Sequence, residues 1–314
     1  MNCVEKLKEF KRSIIKRQKF FWRHGSRYRL EGEIQNKEIL LFVLAGYKEY
    51  LWDDVFSRIK QSQLPNMEVC IGSSGKYSEE LSKMCKKNNW CYLSTSLNNM
   101  CVLTNIILRD FSKASFYFKL DEDIYIPKDY FKKMIDAYSN IESIETKYVI
   151  GYLCPNLPLG FYSLYDYLVE KNCLDDFESR FGKLRIGGSL VNPFFRNNMG
   201  IDTYIWNKIG IFDDEAQRYF EKGFSYSICP TRTGIAAILF RRSFWDRIEC
   251  LKRPRGVGWG EEGDESQIAS FCARNYLANF RVDNIIVGHF AFGGAEQNVL
   301  KLKQEHPDFF KMRD

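Results

Sequence analysis

The sequence has no apolar run that approaches the roughly 18 residues needed to span a bilayer, which excludes an ordinary transmembrane helix. Its first residues lack the apolar stretch and small-residue cleavage site of a secretory signal peptide. It has no C-x-x-C pair among its 10 cysteines, no internal repeat and no low-complexity tract. The cysteines lie in apolar segments such as Val69-Cys70-Ile71, which favours buried free thiols over a disulfide framework. We therefore expect a globular protein kept in the cytoplasm.

The composition allows a sizeable core, with 314 residues of which 45% are hydrophobic and 16% aromatic. This length suits one large domain or a domain with an insertion. The net charge of +6 is unevenly distributed, because residues 2–30 carry ten Lys or Arg against Glu5 and Glu9. That segment alone is +8, so the remainder is slightly acidic. Nucleic-acid binding by the main body is not expected.

The basic N-terminal segment also has an apolar periodicity. Helical spacing relates Val4, Leu7, Phe10, Ile14 and Ile15, and an aromatic cluster follows at 20–22. One interpretation is a helix that lies on an anionic membrane surface, peripheral to the inner face of the membrane. A second is a solvated helix that packs its apolar stripe on the domain, and a third is a segment that binds RNA or DNA.

Apolar runs alternate with amphipathic ones from residue 38 onward. The first is continuous, as in a strand buried on both faces of a parallel sheet. Strands are predicted at Glu38–Ala45, Met67–Gly72, Trp90–Leu93, Phe116–Leu120, Lys147–Leu153, Gly234–Phe240 and Phe280–Val287. Helices are predicted at Leu51–Gln61, Ser78–Asn88, Asn98–Phe111, Ser243–Cys250 (capped by Ser243) and Glu262–Tyr276. The alternation predicts a doubly wound α/β sheet with ligands at the carboxyl ends of its strands.

Three carboxylates follow one predicted strand directly, in the run Lys119-Leu120-Asp121-Glu122-Asp123. Asp121 and Asp123 project to the same side of an extended chain, so both can bind one Mg²⁺ or Mn²⁺ that carries a diphosphate. Glu122 points the other way and is expected to make structural contacts. The alternative is a turn whose acids cap the next helix, with Pro127 at its first position.

Two later segments join this triplet in a recognisable order: residues 255–266, which contain Trp259-Gly260-Glu261-Glu262, and Val287-Gly288-His289-Phe290. Together they resemble the metal-dependent glycosyltransferases of the GT-A fold. The later segments look like those of the polypeptide N-acetylgalactosaminyltransferases and, for residues 258–260, of the beta-4-galactosyltransferases. The resemblance spans roughly Glu38 to Gly294, and the N-terminal half resembles the family in pattern alone.

The resemblance implies a Rossmann-like doubly wound mixed sheet with an insertion on the acceptor side. It divides the chain into the basic segment 1–37, a nucleotide-sugar-binding half 38–153, an acceptor-binding and catalytic half 154–294, and a tail 295–314. Residues 154–230, where the periodicity is lost, would be the insertion.

The resemblance also implies roles for single residues. Asp121 would contact the nucleotide ribose or the water shell of the metal, Asp123 would bind the metal, and His289 would be the third protein ligand. Trp259 is either a packing anchor or a platform on which a sugar ring stacks. Glu262 would hydrogen-bond donor or acceptor hydroxyl groups.

Two departures from the family pattern leave points open. Inverting relatives carry an Asp that acts as the catalytic base directly after the glutamate that Glu262 matches, whereas this chain has Gly263. The catalytic base is then Asp264 or Glu262, or the reaction retains configuration and needs no such base. Many inverting relatives also read the nucleobase with an acid after the second strand, where this chain has Ser73 and Ser74 in a Gly-Ser-Ser-Gly turn. The backbone of that turn can still approach a base or phosphate, and uridine is the default.

The sequence thus predicts a cytoplasmic glycosyltransferase of hexosyltransferase type that extends a glycan or a lipid-linked glycan, with inversion favoured. It would use Mn²⁺ or Mg²⁺ and a nucleotide sugar, with a UDP-sugar as default. One alternative is a sugar-phosphate nucleotidyltransferase, for which the loop after the first strand, residues 45–49, is a poor match. The other is a non-catalytic protein that binds a glycan or a nucleotide.

Overall fold

Strands and helices alternate along the chain as the sequence predicts. The computed structural model describes residues 25–185, 194–195, 197–229, 233–253, 263–291 and 293–313. Its strands, β1 to β11, are Tyr28–Glu31, Ile39–Leu44, Met67–Ser74, Cys91–Thr95, Phe116–Asp121, Ile124–Tyr125, Val149–Asn156, Tyr226–Ile228, Ala237–Arg241, Leu277–Ile286 and Gly288–His289. Its helices, α1 to α11, are Glu49–Ser62, Glu79–Asn88, Met100–Asp110, Tyr130–Ile144, Phe161–Glu170, Leu174–Phe181, Ile201–Ile209, Phe212–Glu221, Arg242–Ile248, Asp264–Arg274 and Glu296–Glu305.

In the part of the chain that is described, nine strands form one mixed sheet in the order β1-β4-β3-β2-β5-β9-β7-β10-β8, and β6 pairs separately with β11. Strands β4, β3, β2 and β5 are parallel neighbours, and β7 is parallel to β10. Strand β9 runs antiparallel to both β5 and β7. The carboxyl ends of β2, β3, β4, β5, β7 and β10 therefore share one edge. The predicted α/β class with a doubly wound mixed sheet is confirmed.

The sheet separates two hydrophobic cores, and strand β2 shows how. All six of its residues are buried. Because side chains alternate across a strand, Leu41 and Val43 enter one core, whereas Leu40 and Phe42 enter the other. The first core also contains apolar residues of α1 and α4, and the second contains those of α3 and α9. A continuous apolar run is what a strand covered on both faces requires.

Each predicted strand and helix has a counterpart, with ends that differ by a few residues, but some details were wrong or missed. Ser243 does not cap α9, because that helix begins at Arg242 and no side chain caps it. Pro127 does not open a helix either, since α4 begins at Tyr130 after an Asp129 in the left-handed conformation. Helices α4, α5 to α8 and α11 were not predicted from the sequence. The segment 295–314, predicted to be a tail, contains α11.

The cysteine prediction agrees with the structure. The nine cysteines among the described residues are thiols that are not joined in disulfides, and eight of them are buried. Burial raises the pKa of Cys101 and of Cys272 to about 12. Cys101 and Cys272 therefore stay protonated at neutral pH and behave as small apolar side chains.

The basic segment lies mostly outside the described residues, which begin at 25. Its last part, Tyr28–Glu31, forms edge strand β1 and pairs antiparallel with β4. Of the helices that are described, none combines the length and apolar character that crossing a membrane requires.

A buried charge cluster connects α8 to the end of α5. Glu215 accepts hydrogen bonds from Lys171 (Nζ, 2.8 Å) and from Arg218 (Nε, 2.9 Å), and its side chain is 5% exposed. Burial alone would raise the pKa of Glu215, but the hydrogen bonds from Arg218 and Lys171 hold that pKa below its usual value. The stabilisation is thus present above the unfolded pKa of about 4.3 and is lost as the pH falls through the folded value.

We expect Glu215→Gln to lower the free energy of unfolding by about 2 kcal/mol at pH 7, because a charge-assisted buried pair is lost. Urea denaturation at several pH values measures this. The difference from wild type should shrink as the pH falls from about 5 to 3, since protonation removes the same charge from the wild type. A difference that does not change with pH would show that the charge of Glu215 contributes nothing.

Candidate active site

The candidate site lies where the direction of strand addition reverses. After β2 the chain moves outward to β3 and β4, and β5 then returns to the other side of β2. Ligands of doubly wound sheets bind at such a point, beyond the carboxyl ends of the strands. Leu44 at the end of β2 is the register partner of Asp121 at the end of β5. The loop after β2 and the acid triplet after β5 therefore meet side by side.

Glu122, the middle acid, holds that loop. Its carboxylate accepts hydrogen bonds from the backbone N–H groups of Gly46 (2.9 Å) and Tyr47 (3.0 Å), and from Nε1 of Trp52 (2.6 Å). Glu122 is buried. The predicted structural role of Glu122 agrees with these contacts, which make the acid the anchor of the loop between β2 and α1.

Asp123 faces an ammonium group and an imidazole. Its Oδ2 accepts a hydrogen bond from Nζ of Lys48 at 2.6 Å and lies 3.1 Å from Nε2 of His289. Lys48 comes from the loop that Glu122 holds, whereas His289 is 166 residues away in sequence. The two-stranded sheet of β6 and β11 brings His289 close to Asp123, because His289 in β11 pairs with Ile124 in β6, directly after the acids.

Gly288 is required for this approach. A Cβ at Gly288 would lie 2.7 Å from the ring of Trp206, too close for ordinary contact. Nε1 of Trp206 in turn donates a hydrogen bond to the backbone oxygen of Phe290 at 2.9 Å. The glycine of the Val-Gly-His segment thus lets α7 pack tightly against the strand that carries His289.

Attraction between Asp123 and its neighbours His289 and Lys48 outweighs the effect of burial on the pKa values of all three groups. Burial would raise the pKa of this carboxyl, but His289 and then Lys48 hold it well below its usual range. Burial would lower the pKa of His289, and Asp123 raises it above the usual value. The pKa of Lys48 is raised in the same way, since Asp123 and Glu296 outweigh burial. Asp123 is therefore ionised throughout the physiological range.

Asp121 is paired differently. Its Oδ1 accepts a hydrogen bond from Nζ of Lys119 at 2.7 Å, and Lys119 also donates to the backbone oxygen of Ile235 at 2.9 Å. Burial raises the pKa of Asp121 to about 6, partly offset by the attraction of Lys119. Asp264, the first residue of α10, acts on the same pair and raises the pKa of both Lys119 and Asp121. The structure thus places Asp264 within electrostatic reach of the acid triplet.

The donor atoms at Asp123 suit a divalent cation. A carboxylate oxygen and an imidazole nitrogen 3.1 Å apart are both accepted by Mn²⁺. Among the described residues no group of three His, Cys, Asp or Glu side chains is assembled around one point, and Asp121 is directed to Lys119. Sites for Mg²⁺ or Mn²⁺ commonly combine one or two protein ligands with phosphate oxygens of the substrate. Asp123 and His289 fit that pattern.

Ser73 and Ser74 end strand β3 at the same edge of the sheet, but their side chains are engaged within the protein. The Ser73 hydroxyl donates to the backbone oxygen of Lys76 at 2.8 Å, and the Ser74 hydroxyl donates to Oδ1 of Asn98 at 3.0 Å. Gly75 adopts φ +77°, and a Cβ there would lie 2.4 Å from Cβ of Asn98. These contacts fix the turn, in which Ser73 and Ser74 are buried and Gly75 is exposed.

Two predicted site residues, Trp259 and Glu262, lie outside the described residues. Three others were missed. Lys119 could have been found, because it stands two residues before Asp121 and so shares its face of the strand. Lys48 could have been suspected from its place in a loop at the carboxyl end of β2. Glu296 has no signal in the sequence.

No protein-family model matches this chain, and no curated protein matches its sequence. Solved structures similar to it include the mannosyltransferase PcManGT from Pyrobaculum calidifontis in complex with GDP-Man and Mn²⁺, at TM-score 0.45 and 11% identity over 92% of this chain and 69% of that one. Glucosyl-3-phosphoglycerate synthase from Mycobacterium tuberculosis, with Mn²⁺, UDP and phosphoglyceric acid, has TM-score 0.44 and 10% identity over 88% and 80%.

TarS from S. aureus is a further similar structure. Its fragment 1–349 aligns at TM-score 0.44 and 10% identity over 84% of this chain and 64% of that one. In its complex with UDP, the alignment has TM-score 0.31 and 15% identity, and covers 38% of this chain and 35% of that chain. The chain thus spans less than two thirds of the TarS fragment.

Proposed function

We propose that the protein is a metal-dependent glycosyltransferase that moves a sugar from a nucleotide-sugar donor to a glycan or lipid-linked glycan acceptor, with inversion. The observation that carries the proposal is the meeting of Asp123 and His289 at the carboxyl end of β5, beside the loop that follows β2. The mannosyltransferase named above was crystallised with GDP-Man and Mn²⁺, the synthase with Mn²⁺ and UDP, and TarS with UDP, in keeping with this assignment. Residues 38–153 would form the half that binds the nucleotide sugar.

In this mechanism Asp123 and His289 would hold Mn²⁺ or Mg²⁺. The cation, when bound, stabilises the negative charge that builds up on the departing nucleoside diphosphate. Asp121, whose Oδ1 accepts a hydrogen bond from Lys119, would contact the ribose or the water around the cation. The backbone of the turn at Ser73 and Ser74 would border the nucleoside, with uridine as default.

We take Asp264 as the catalytic base. It opens α10, and its charge raises the pKa of both Lys119 and Asp121, which supports this role. As a carboxylate there, Asp264 would accept the proton of the attacking acceptor hydroxyl. Glu262 and Trp259 would complete the acceptor side by hydrogen bonding and by stacking on a sugar ring.

The nucleotidyltransferase alternative is weakened by the loop after β2. A nucleotidyltransferase would use backbone N–H groups of this loop to bind the phosphates of a nucleoside triphosphate. The N–H groups of Gly46 and Tyr47 instead donate to Glu122. A non-catalytic binding protein remains distinguishable by turnover.

The proposal is tested by thermal shift and calorimetry with UDP, GDP, CDP, TDP and ADP, each with and without Mn²⁺. We expect one nucleotide to stabilise the protein when Mn²⁺ is present and little without it. The corresponding nucleotide sugars should then be consumed with acceptor glycans. Binding without turnover of any nucleotide sugar would favour the non-catalytic alternative, and no binding by any nucleotide would contradict the proposal.

His289→Gln should weaken Mn²⁺ binding about 10- to 100-fold, the usual effect of disturbing a metal site. It should affect folding less, because the backbone pairing of β11 with β6 does not depend on the imidazole. Mn²⁺ titration followed by electron paramagnetic resonance measures the affinity, and thermal unfolding without metal serves as the control. Equal affinities in the variant and the wild type would remove His289 from the site.

The basic segment is proposed to attach the protein to an anionic membrane surface. Residues 2–24 carry eight Lys or Arg against two Glu. Deleting 2–24 spares strand β1, so we expect the fold and turnover to persist while co-sedimentation with phosphatidylserine vesicles is lost. Vesicles of neutral lipid are the control. Unchanged sedimentation with anionic vesicles would favour the solvated helix.

A further inference from the structure

Lys48 lies between two carboxylates that come from distant parts of the chain. Its Nζ is 2.6 Å from Oδ2 of Asp123 and 2.8 Å from Oε1 of Glu296, the first residue of α11. The other oxygen of Glu296 accepts a hydrogen bond from the hydroxyl of Tyr50 at 3.0 Å. A loop residue, a helix and the acid triplet are thus joined through one ammonium group.

The backbone that carries Lys48 has little freedom to move. Glu122 accepts hydrogen bonds from the N–H groups of Gly46 and Tyr47, the two residues before Lys48. The residue after it begins α1. The Lys48 side chain is 19% exposed, so most of its surface is packed and a part of it reaches solvent. Its flexible stem lets the ammonium group move between partners while the backbone stays fixed.

Oδ2 of Asp123 cannot bind both the ammonium group of Lys48 and a divalent cation tightly at the same time. Two positive charges in contact with one oxygen atom would repel each other. We propose that Lys48 is the counter-ion of Asp123 before metal is taken up and a ligand of the donor's diphosphate afterwards, with Glu296 retaining it near both positions. This rests on the proposed function. Glu296 competes with Asp123 for Lys48 and so favours uptake of metal.

The charges give opposite expectations for two variants. Lys48→Met removes the competing cation, so Mn²⁺ alone should bind about tenfold more tightly. Glu296→Gln leaves Asp123 as the remaining carboxylate partner of Lys48 among these contacts, so Mn²⁺ should bind more weakly. In the double variant the Glu296→Gln effect should disappear, because Glu296 acts through Lys48.

The second half of the proposal concerns the diphosphate. With Mn²⁺ saturating, Lys48→Met should bind inorganic pyrophosphate about tenfold more weakly than wild type, since a charge-assisted contact is lost. Lys48→Arg should restore most of that affinity. Lys132→Met, which removes a lysine paired with Asp136 on the exposed face of α4, is the matched control and should change neither affinity.

A purely structural role makes a different prediction. It would lower the Tm of Lys48→Met equally with and without Mn²⁺, whereas we expect Mn²⁺ to recover most of the loss.

The measurements are Mn²⁺ titration followed by electron paramagnetic resonance, calorimetry with pyrophosphate and thermal unfolding. Equal Mn²⁺ affinity in wild type and Lys48→Met, or a Glu296→Gln effect that persists in the double variant, would overturn the inference and leave the proposed function standing. If the variants behave as expected but no nucleoside diphosphate binds, the exchange at Asp123 is supported and the proposed function fails.

Discussion

Asp123→Asn is expected to abolish Mn²⁺-dependent binding of the donor nucleotide and to reduce kcat/KM about 10³-fold, equivalent to about 4 kcal/mol of transition-state stabilisation. Asparagine keeps the size of the side chain but offers no negative charge to a cation. The same substitution leaves Lys48 and His289 facing a neutral group. Steady-state kinetics with the donor identified by the nucleotide panel measures the loss.

The controls separate chemistry from folding. Thermal unfolding without metal shows whether Asp123→Asn remains folded, and a fold intact enough for assay is expected because Lys48 keeps Glu296 as a partner. Asp136→Asn, on the exposed face of α4, should retain wild-type activity. Turnover of Asp123→Asn at the wild-type rate would show that this acid is not part of the metal site.

Glu122→Ala is expected to lower the free energy of unfolding by about 4 kcal/mol, because each buried donor left without a partner costs about 1–3 kcal/mol. Three donors lose their acceptor: the N–H groups of Gly46 and Tyr47 and Nε1 of Trp52. The loop that carries Lys48 should loosen with them, so binding of Mn²⁺ and nucleotide should weaken as well. Urea denaturation measures the stability.

A graded series makes this test specific. Glu122→Gln keeps one oxygen acceptor and should lose about half as much stability. Glu305→Ala, on the surface of α11, should remain within about 0.5 kcal/mol of wild type. If Glu122→Ala were as stable as Glu305→Ala, the anchoring role of Glu122 would be wrong.

Local patterns predicted the sheet well. The alternation of buried side chains in β2 and the abrupt change from Leu120 to Asp121 both depend on neighbours in sequence, so they can be read directly. The helices of 154–230 were missed because they are short, at 8 to 10 residues each, and rich in aromatic residues, which obscures their periodicity. The N-cap proposed at Ser243 failed because β9 passes into α9 without a turn in which Ser243 could cap.

What the sequence by itself determined is the class of the fold, the strand that ends in the acid triplet, and the orientation of Glu122 away from Asp121 and Asp123. The fold class follows from the alternation of strand and helix patterns, and the other two follow from periodicity within one strand. The tertiary structure decided the distant partners: Lys48 and His289 for Asp123, Asp264 for Asp121, and Glu296 for Lys48. His289 is 166 residues from Asp123 in sequence, and Glu296 is farther still from Lys48, so their meeting depends on strand order and on the pairing of β6 with β11. No local pattern encodes such distances, because they result from packing the whole sheet.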